Sequence, residues 1–155
     1  VVATLLCAWD TAFLLLRPDS LPGHSLHHFF TPYTLYVTVD TSWADMDDDF
    51  VVAQAWMNVV EMVMVAVGVL WYCKSARAGR GAEVLLFASV VMTFSKTVLF
   101  MAKEGLGGWS HVKQTSMMDF VTLWVLPNGA WILFPGIMML QWGAALASPE
   151  RLKSD

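Results

Sequence analysis

Charge is what this sequence has least of. Of its 155 residues only 14% are charged, while 57% are hydrophobic; a soluble domain carries nearer a quarter charged. The formal net charge is −4, and no long basic run is present to hold a phosphate backbone, which excludes the electrostatic footprint of a nucleic-acid binder. Cysteine is almost missing. Cys7 and Cys73 lie in or at the end of apolar segments, which argues against a disulfide framework, and neither stands at metal-ligand spacing from a histidine. No Gly-x-Ser-x-Gly, P-loop or dinucleotide fingerprint occurs. No repeat or low-complexity tract divides the chain, so residues 1–155 read as one domain.

Long apolar runs are what the sequence does have. A helix needs about 20 mostly apolar residues to cross a bilayer core. Four segments are read as spans: Val1–Leu16, stopped by Arg17-Pro18; about Phe50 to Cys73; about Val84 to Ala102; and about Asp119 to Leu146. The first lacks the small-residue cleavage site of a signal peptide; opening on Val1 rather than Met, it is read as a spanning helix, with trimming of its N-terminal end as an open option. Pro127 and Pro135 are expected to bend the last one. The fold class expected is an all-α integral membrane protein, a four-transmembrane-helix bundle with an intramembrane polar pocket.

The loops set direction. Lys74, Arg77 and Arg80 in the second link, with Arg151 and Lys153 in the tail, give five basic residues against three (Arg17, Lys103 and Lys113) on the other side. The positive-inside rule then places both termini in the cytoplasm. The first loop, Arg17 to Asp49, is otherwise acidic and too long for a bare connection. Its Tyr33–Val39 stretch is expected to form a short helix or strand over the pocket mouth, and Gly105–Gly108 a flexible turn.

An ionisable residue inside a span raises a functional hypothesis by its cost alone. Asp10, Glu61 and Lys96 lie in the first three spans, and Asn128 lies in the fourth, one turn before Trp131. At a rise of about 1.5 Å per residue, Asp10 is about 9 Å deep, Lys96 about 12 Å, Asn128 about 14 Å and Glu61 about 15 Å. Four helices thus place polar groups in one layer. Gln54, Asn58 and Glu61 share a helix face at i, i+4, i+7, with Val, Met and Ala opposite. Lys96 reads first as the ion-pair partner of Glu61, with Gln54 and Asn58 as interhelical hydrogen-bond glue. Two acids and one base still leave a carboxyl group needing another role.

Two weaker signals point elsewhere. Asp45-Met46-Asp47-Asp48-Asp49 has some likeness to a magnesium-diphosphate cluster, but it immediately precedes the second span, where acids favour the helix dipole. His24, His27 and His28 share a loop, with no fourth metal ligand in sight.

With these residues placed, the chain resembles the emopamil-binding protein family, whose shared unit is the EXPERA domain. Four patches carry the resemblance in order: Ala8-Trp9-Asp10, Leu35 to Asp40, Asn58-Val59-Val60-Glu61, and Asn128-Gly129-Ala130-Trp131 with Pro135-Gly136. The family includes a sterol double-bond isomerase and the sigma-2 receptor. The resemblance implies catalytic roles for Glu61, Asp10, Asn128 and Trp131. Gln54, Asn58, Lys96, Asp40 and Tyr36 are the substrate-binding candidates. Leu6 stands where the isomerase has a histidine, and Lys96 where it carries an acid.

The function expected is a membrane-embedded isomerase acting on a sterol or other isoprenoid. A buried carboxyl group, Glu61 or Asp10, protonates a double bond; burial favours the neutral, loaded form of such an acid. Trp131 faces the carbocation and Asn128 orients the acid or stabilises developing charge. The other carboxylate removes a proton. A terpenoid cyclase using the same acid-initiated chemistry and a non-catalytic binder of sterols or cationic amphiphiles of sigma-2 type are the alternatives. No cofactor, metal or nucleic acid is expected. The expected partners are a lipophilic small-molecule substrate, membrane lipid and, as one option, a second copy of the chain. The endoplasmic reticulum is the location implied by the resemblance.

Overall fold

The structure, a computed structural model, describes residues 2–74, 79–113 and 116–148. Arg77, Arg151 and Lys153, used above for orientation, lie outside the described residues. Among these residues the regular structure is helical. The elements in order are α1 (Val2–Leu15), α2 (Tyr33–Val39), α3 (Asp49–Lys74), α4 (Gly79–Leu106), α5 (Met117–Asp119) and α6 (Leu126–Leu146), with short 3₁₀ turns at His27–Phe29 and Thr41–Trp43.

Among the described residues, three helical segments are long and apolar enough to cross a membrane: Asp49–Lys74, Arg80–Leu106 and Met117–Leu146. The first expected segment is also a helix, α1, within a residue of its expected bounds at each end, but it is shorter than these three. α1 has 14 residues, about 21 Å at the helical rise, against a bilayer core of about 30 Å. The others run longer than the hydropathy alone defines, because amphipathic ends such as Lys103 continue the helix. Gly105 is therefore inside α4, and the turn falls after Leu106, where Gly108 (φ 70°) and Trp109 (φ 60°) take the left-handed conformation that stops the helix.

The last rod is continuous but irregular. Phe120–Val125 is wound as a π-helix, with Leu126 N–H donating to the Val121 carbonyl, five residues back. Pro127 follows at once. It has no N–H and its ring crowds the carbonyl four residues earlier, so widening the preceding turn lets the helix pass without a break.

α4 packs between α3 and α6, and α1 packs on α3. Small residues let the backbones approach. A Cβ on Gly68 would lie 2.8 Å from Leu86 of α4, and one on Gly136 would lie 3.2 Å from the Phe94 ring. The outward face of α3 (Trp56, Val60, Val63, Val67, Leu70) is exposed and apolar, as a lipid-facing surface would be.

The hydrophobic core sits at one end, beneath the first loop. Phe13, Leu14, Phe30, Tyr33, Val39, Val51, Ala55, Phe100 and Trp124 form it. Tyr33 stacks on Phe13 with ring centroids 4.2 Å apart and on Trp43 at 5.6 Å. The loops above this core are tied together. Thr41 N donates to the His111 carbonyl (2.9 Å) and Lys113 N to that of Val39 (2.8 Å). Arg17 donates to the carbonyls of Trp43 (3.1 Å) and Asp45 (2.7 Å). Lys103 Nζ lies 2.7 Å from Asp48 and 2.9 Å from Glu104, whose Oε1 is also 3.0 Å from His111 Nδ1. The segment Tyr33–Val39 is a helix, held as a roof.

Candidate functional site

Under this roof the helices line a half-open cavity of about 340 Å³, with walls from α1, α2, α3, α4 and the last rod. Its size suits a small lipophilic ligand. Eight of the nine site residues expected from sequence line it: Asp10, Tyr36, Gln54, Asn58, Glu61, Lys96, Asn128 and Trp131. Trp9, Trp43, Phe100 and Leu123 supply apolar wall.

The two carboxyl groups have different surroundings. Asp10, on α1, accepts a hydrogen bond from the Tyr33 hydroxyl of α2. Burial, with Asp10 beside it, pushes the Tyr33 phenol well above its ordinary range, so it stays a donor at any physiological pH. Glu61 is 8% exposed. Its Oε1 accepts from Thr93 Oγ1 at 2.5 Å, and its Oε2 lies 2.8 Å from Lys96 Nζ. Lys96 also donates to Asn58 Oδ1. Asn58 Nδ2 passes the chain on to Thr11 Oγ1 of α1 (3.1 Å), and Gln54 Nε2 donates to the Lys96 carbonyl (2.9 Å). The second-helix stripe thus cross-links α1, α3 and α4 while it lines the cavity.

Asn128 is pinned by its own helix: Nδ2 donates to the Trp124 carbonyl at 2.8 Å. One amide N–H is used on that turn, which leaves the second N–H and the carbonyl oxygen for a ligand. Trp131, one turn on, is half-buried in the same wall.

Asp40 needs correcting as a substrate contact. It is fully buried and outside the cavity wall. Its Oδ1 accepts from Ser42 N (3.2 Å) and Ser42 Oγ (2.5 Å), capping the turn Thr41–Trp43. Burial and the nearby Glu104 push its carboxyl up, with the Ser42 bonds opposing. Tyr36 bridges the two regions: it lines the cavity and its hydroxyl donates to Asp40 Oδ2 (3.4 Å).

The acidic run does cap the following helix. Asp48 Oδ1 accepts from Phe50 N at 2.9 Å, and Asp49 begins α3. His27 contacts the Ser20 carbonyl (3.1 Å) and Thr34 Oγ1 (2.7 Å), so its ring is tied within the loop. Among the described residues, no three His, Cys, Asp or Glu side chains converge as a metal site.

Tyr33, Thr93 and Cys7 are cavity residues that the spacing did not single out. Thr93 was detectable: it lies at i−3 from Lys96, on the same helix face. No protein-family model, curated protein or solved structure matches the chain.

Proposed function

We propose that the chain is a four-helix membrane protein of the emopamil-binding, EXPERA type that shifts a double bond in an isoprenoid entering from the lipid. α1 serves as the fourth span, and the cavity lies within the bilayer. The observation that carries the reading is the unequal setting of two carboxyl groups in one mostly apolar cavity. Glu61 has a cationic partner in Lys96. Among the described residues, Asp10 is given only a phenol.

The roles follow from that difference. Asp10 is the acid, donating a proton to one alkene carbon and leaving a tertiary carbocation. The Trp131 face stabilises the cation, and the Asn128 carbonyl oxygen offers a further negative dipole. Glu61, already ionic against Lys96, takes a proton from a carbon next to the cation, and the double bond reforms there. Each turnover moves one proton from Asp10 to the product and one from the substrate to Glu61; exchange with water resets both. General acid–base steps of this kind contribute about 10²–10⁴-fold each. Asp10→Asn and Glu61→Gln are each expected to abolish turnover in protein that still folds; unchanged turnover in either would sink the proposal.

A second reading has one specific observation in its favour. Both oxygens of Glu61 are engaged, by Thr93 and Lys96, so a protein that uses Asp10 alone, as a sigma-2-type binder would, fits the same cavity. Solvent deuterium separates the two: an isomerase puts it into its product, and a binder does not.

A further inference from the structure

The Lys96 ammonium both pairs with Glu61 and faces the cavity. Nζ donates to Asn58 Oδ1 and lies 2.8 Å from Glu61 Oε2. That oxygen is buried and receives no aligned hydrogen bond, so the Glu61 contact is ionic rather than directional. An ammonium carries three N–H bonds. Asn58 takes one, and the charge of Glu61 draws a second. The third remains for an acceptor in the cavity, whose wall Lys96 helps to form. The Lys96 side chain is 12% exposed, so bulk water has little access to it, and a charged donor left unpaired there is costly.

We infer that the ligand is an oxygenated isoprenoid whose carbonyl or hydroxyl oxygen accepts from Lys96 Nζ. Its hydrocarbon part then lies against the apolar wall to which Phe100, Leu123 and Trp131 contribute. This rests on the reading that the cavity takes isoprenoids, and adds the functional group that is recognised and the residue that recognises it. A pure hydrocarbon supplies no acceptor and strands the N–H. A protonated amine at this end sets cation against cation. Lys96 is thus a specificity-determining residue as well as the partner of Glu61.

The test uses the full chain in lipid nanodiscs and two matched probes. One is geranylacetone, an isoprenoid methyl ketone; the other is the hydrocarbon with a methylene in place of its carbonyl. Affinities are expressed per mole fraction in the bilayer, which removes partitioning. The unaltered chain is expected to bind the ketone about ten- to a hundredfold more tightly. In Lys96→Met combined with Glu61→Gln, both charges go together and no carboxylate is left buried alone; the preference should fall to about threefold or less. Equal binding of the two probes by the unaltered chain, or a preference that survives in the double variant, overturns the role of Lys96 and leaves the isoprenoid reading standing. Binding of neither probe overturns that reading and this inference with it.

Discussion

The Tyr33 hydroxyl, on the roof helix, donates a hydrogen bond to the carboxyl group of Asp10 on α1. One contact therefore joins the cover of the cavity to its least-partnered acid. The Tyr33 ring is held independently, against Phe13 and Trp43, which also contact each other. Tyr33→Phe should keep the ring packing and the fold and lose the hydroxyl alone. Turnover is expected to fall at least about tenfold, with near-unchanged thermal unfolding. Equal turnover would show that the phenol does not serve the acid.

The Lys96–Glu61 contact calls for a double-mutant cycle. Removing one member leaves the other largely buried without its counter-charge, at a cost of about 3 kcal/mol. Lys96→Met is therefore expected to lower unfolding stability in detergent by roughly that amount. Adding Glu61→Gln should restore most of it. Additive losses would mean that the two side chains do not interact.

The roof should respond to acid. Burial alone would raise the Asp48 carboxyl, but the hydrogen bond and charge of Lys103 outweigh it and hold it below the usual carboxylate range. A depressed folded-state value contributes stability above the unfolded value, and that stability is lost as pH falls through the folded one. The window is thus below about pH 4. Thermal unfolding followed against pH should show an acid limb that Asp48→Asn flattens; an unchanged limb would assign it to other groups.

Cysteine reactivity can report occupancy without turnover. Cys7 is buried and lines the cavity, whereas Cys73 is exposed at the far end of α3. Geranylacetone is expected to slow alkylation of Cys7 by N-ethylmaleimide and leave Cys73 unaffected. Equal protection of both, or of neither, would place the ligand elsewhere.

The sequence makes the helices and the polar layer legible for one physical reason. Polar residues are so costly in an apolar span that their period of 3.6 stands out, and Gln54, Asn58, Glu61, Lys96, Asn128 and Trp131 all reach the cavity wall. The Glu61–Lys96 pairing is equally readable, since opposite charges at similar depth tend to meet. Tyr33 is not, because its role depends on how a loop folds back over α1, and no periodicity encodes that. Asp40 was misplaced by resemblance alone. The run Asp40-Thr41-Ser42 carries the local signal of a cap, a carboxylate two residues before a serine, and its side chain is used in that way. The first helix was legible to within a residue at each end; the π-turn before Pro127 was not, because hydropathy marks apolar stretches and not how the turns within them are hydrogen-bonded.

The most direct test of Asp10 and Glu61 as an acid–base pair is solvent deuterium incorporation. The chain in vesicles in heavy water is incubated with zymosterol, squalene and geranylacetone as probes, and product and recovered probe are read by mass spectrometry. The expected result is deuterium at a carbon of at least one isoprenoid with the unaltered chain, other than the ketone α-carbons of geranylacetone that exchange by enolisation, and its loss in both Asp10→Asn and Glu61→Gln. No deuterium with the unaltered chain, or incorporation that persists in Asp10→Asn, would contradict it.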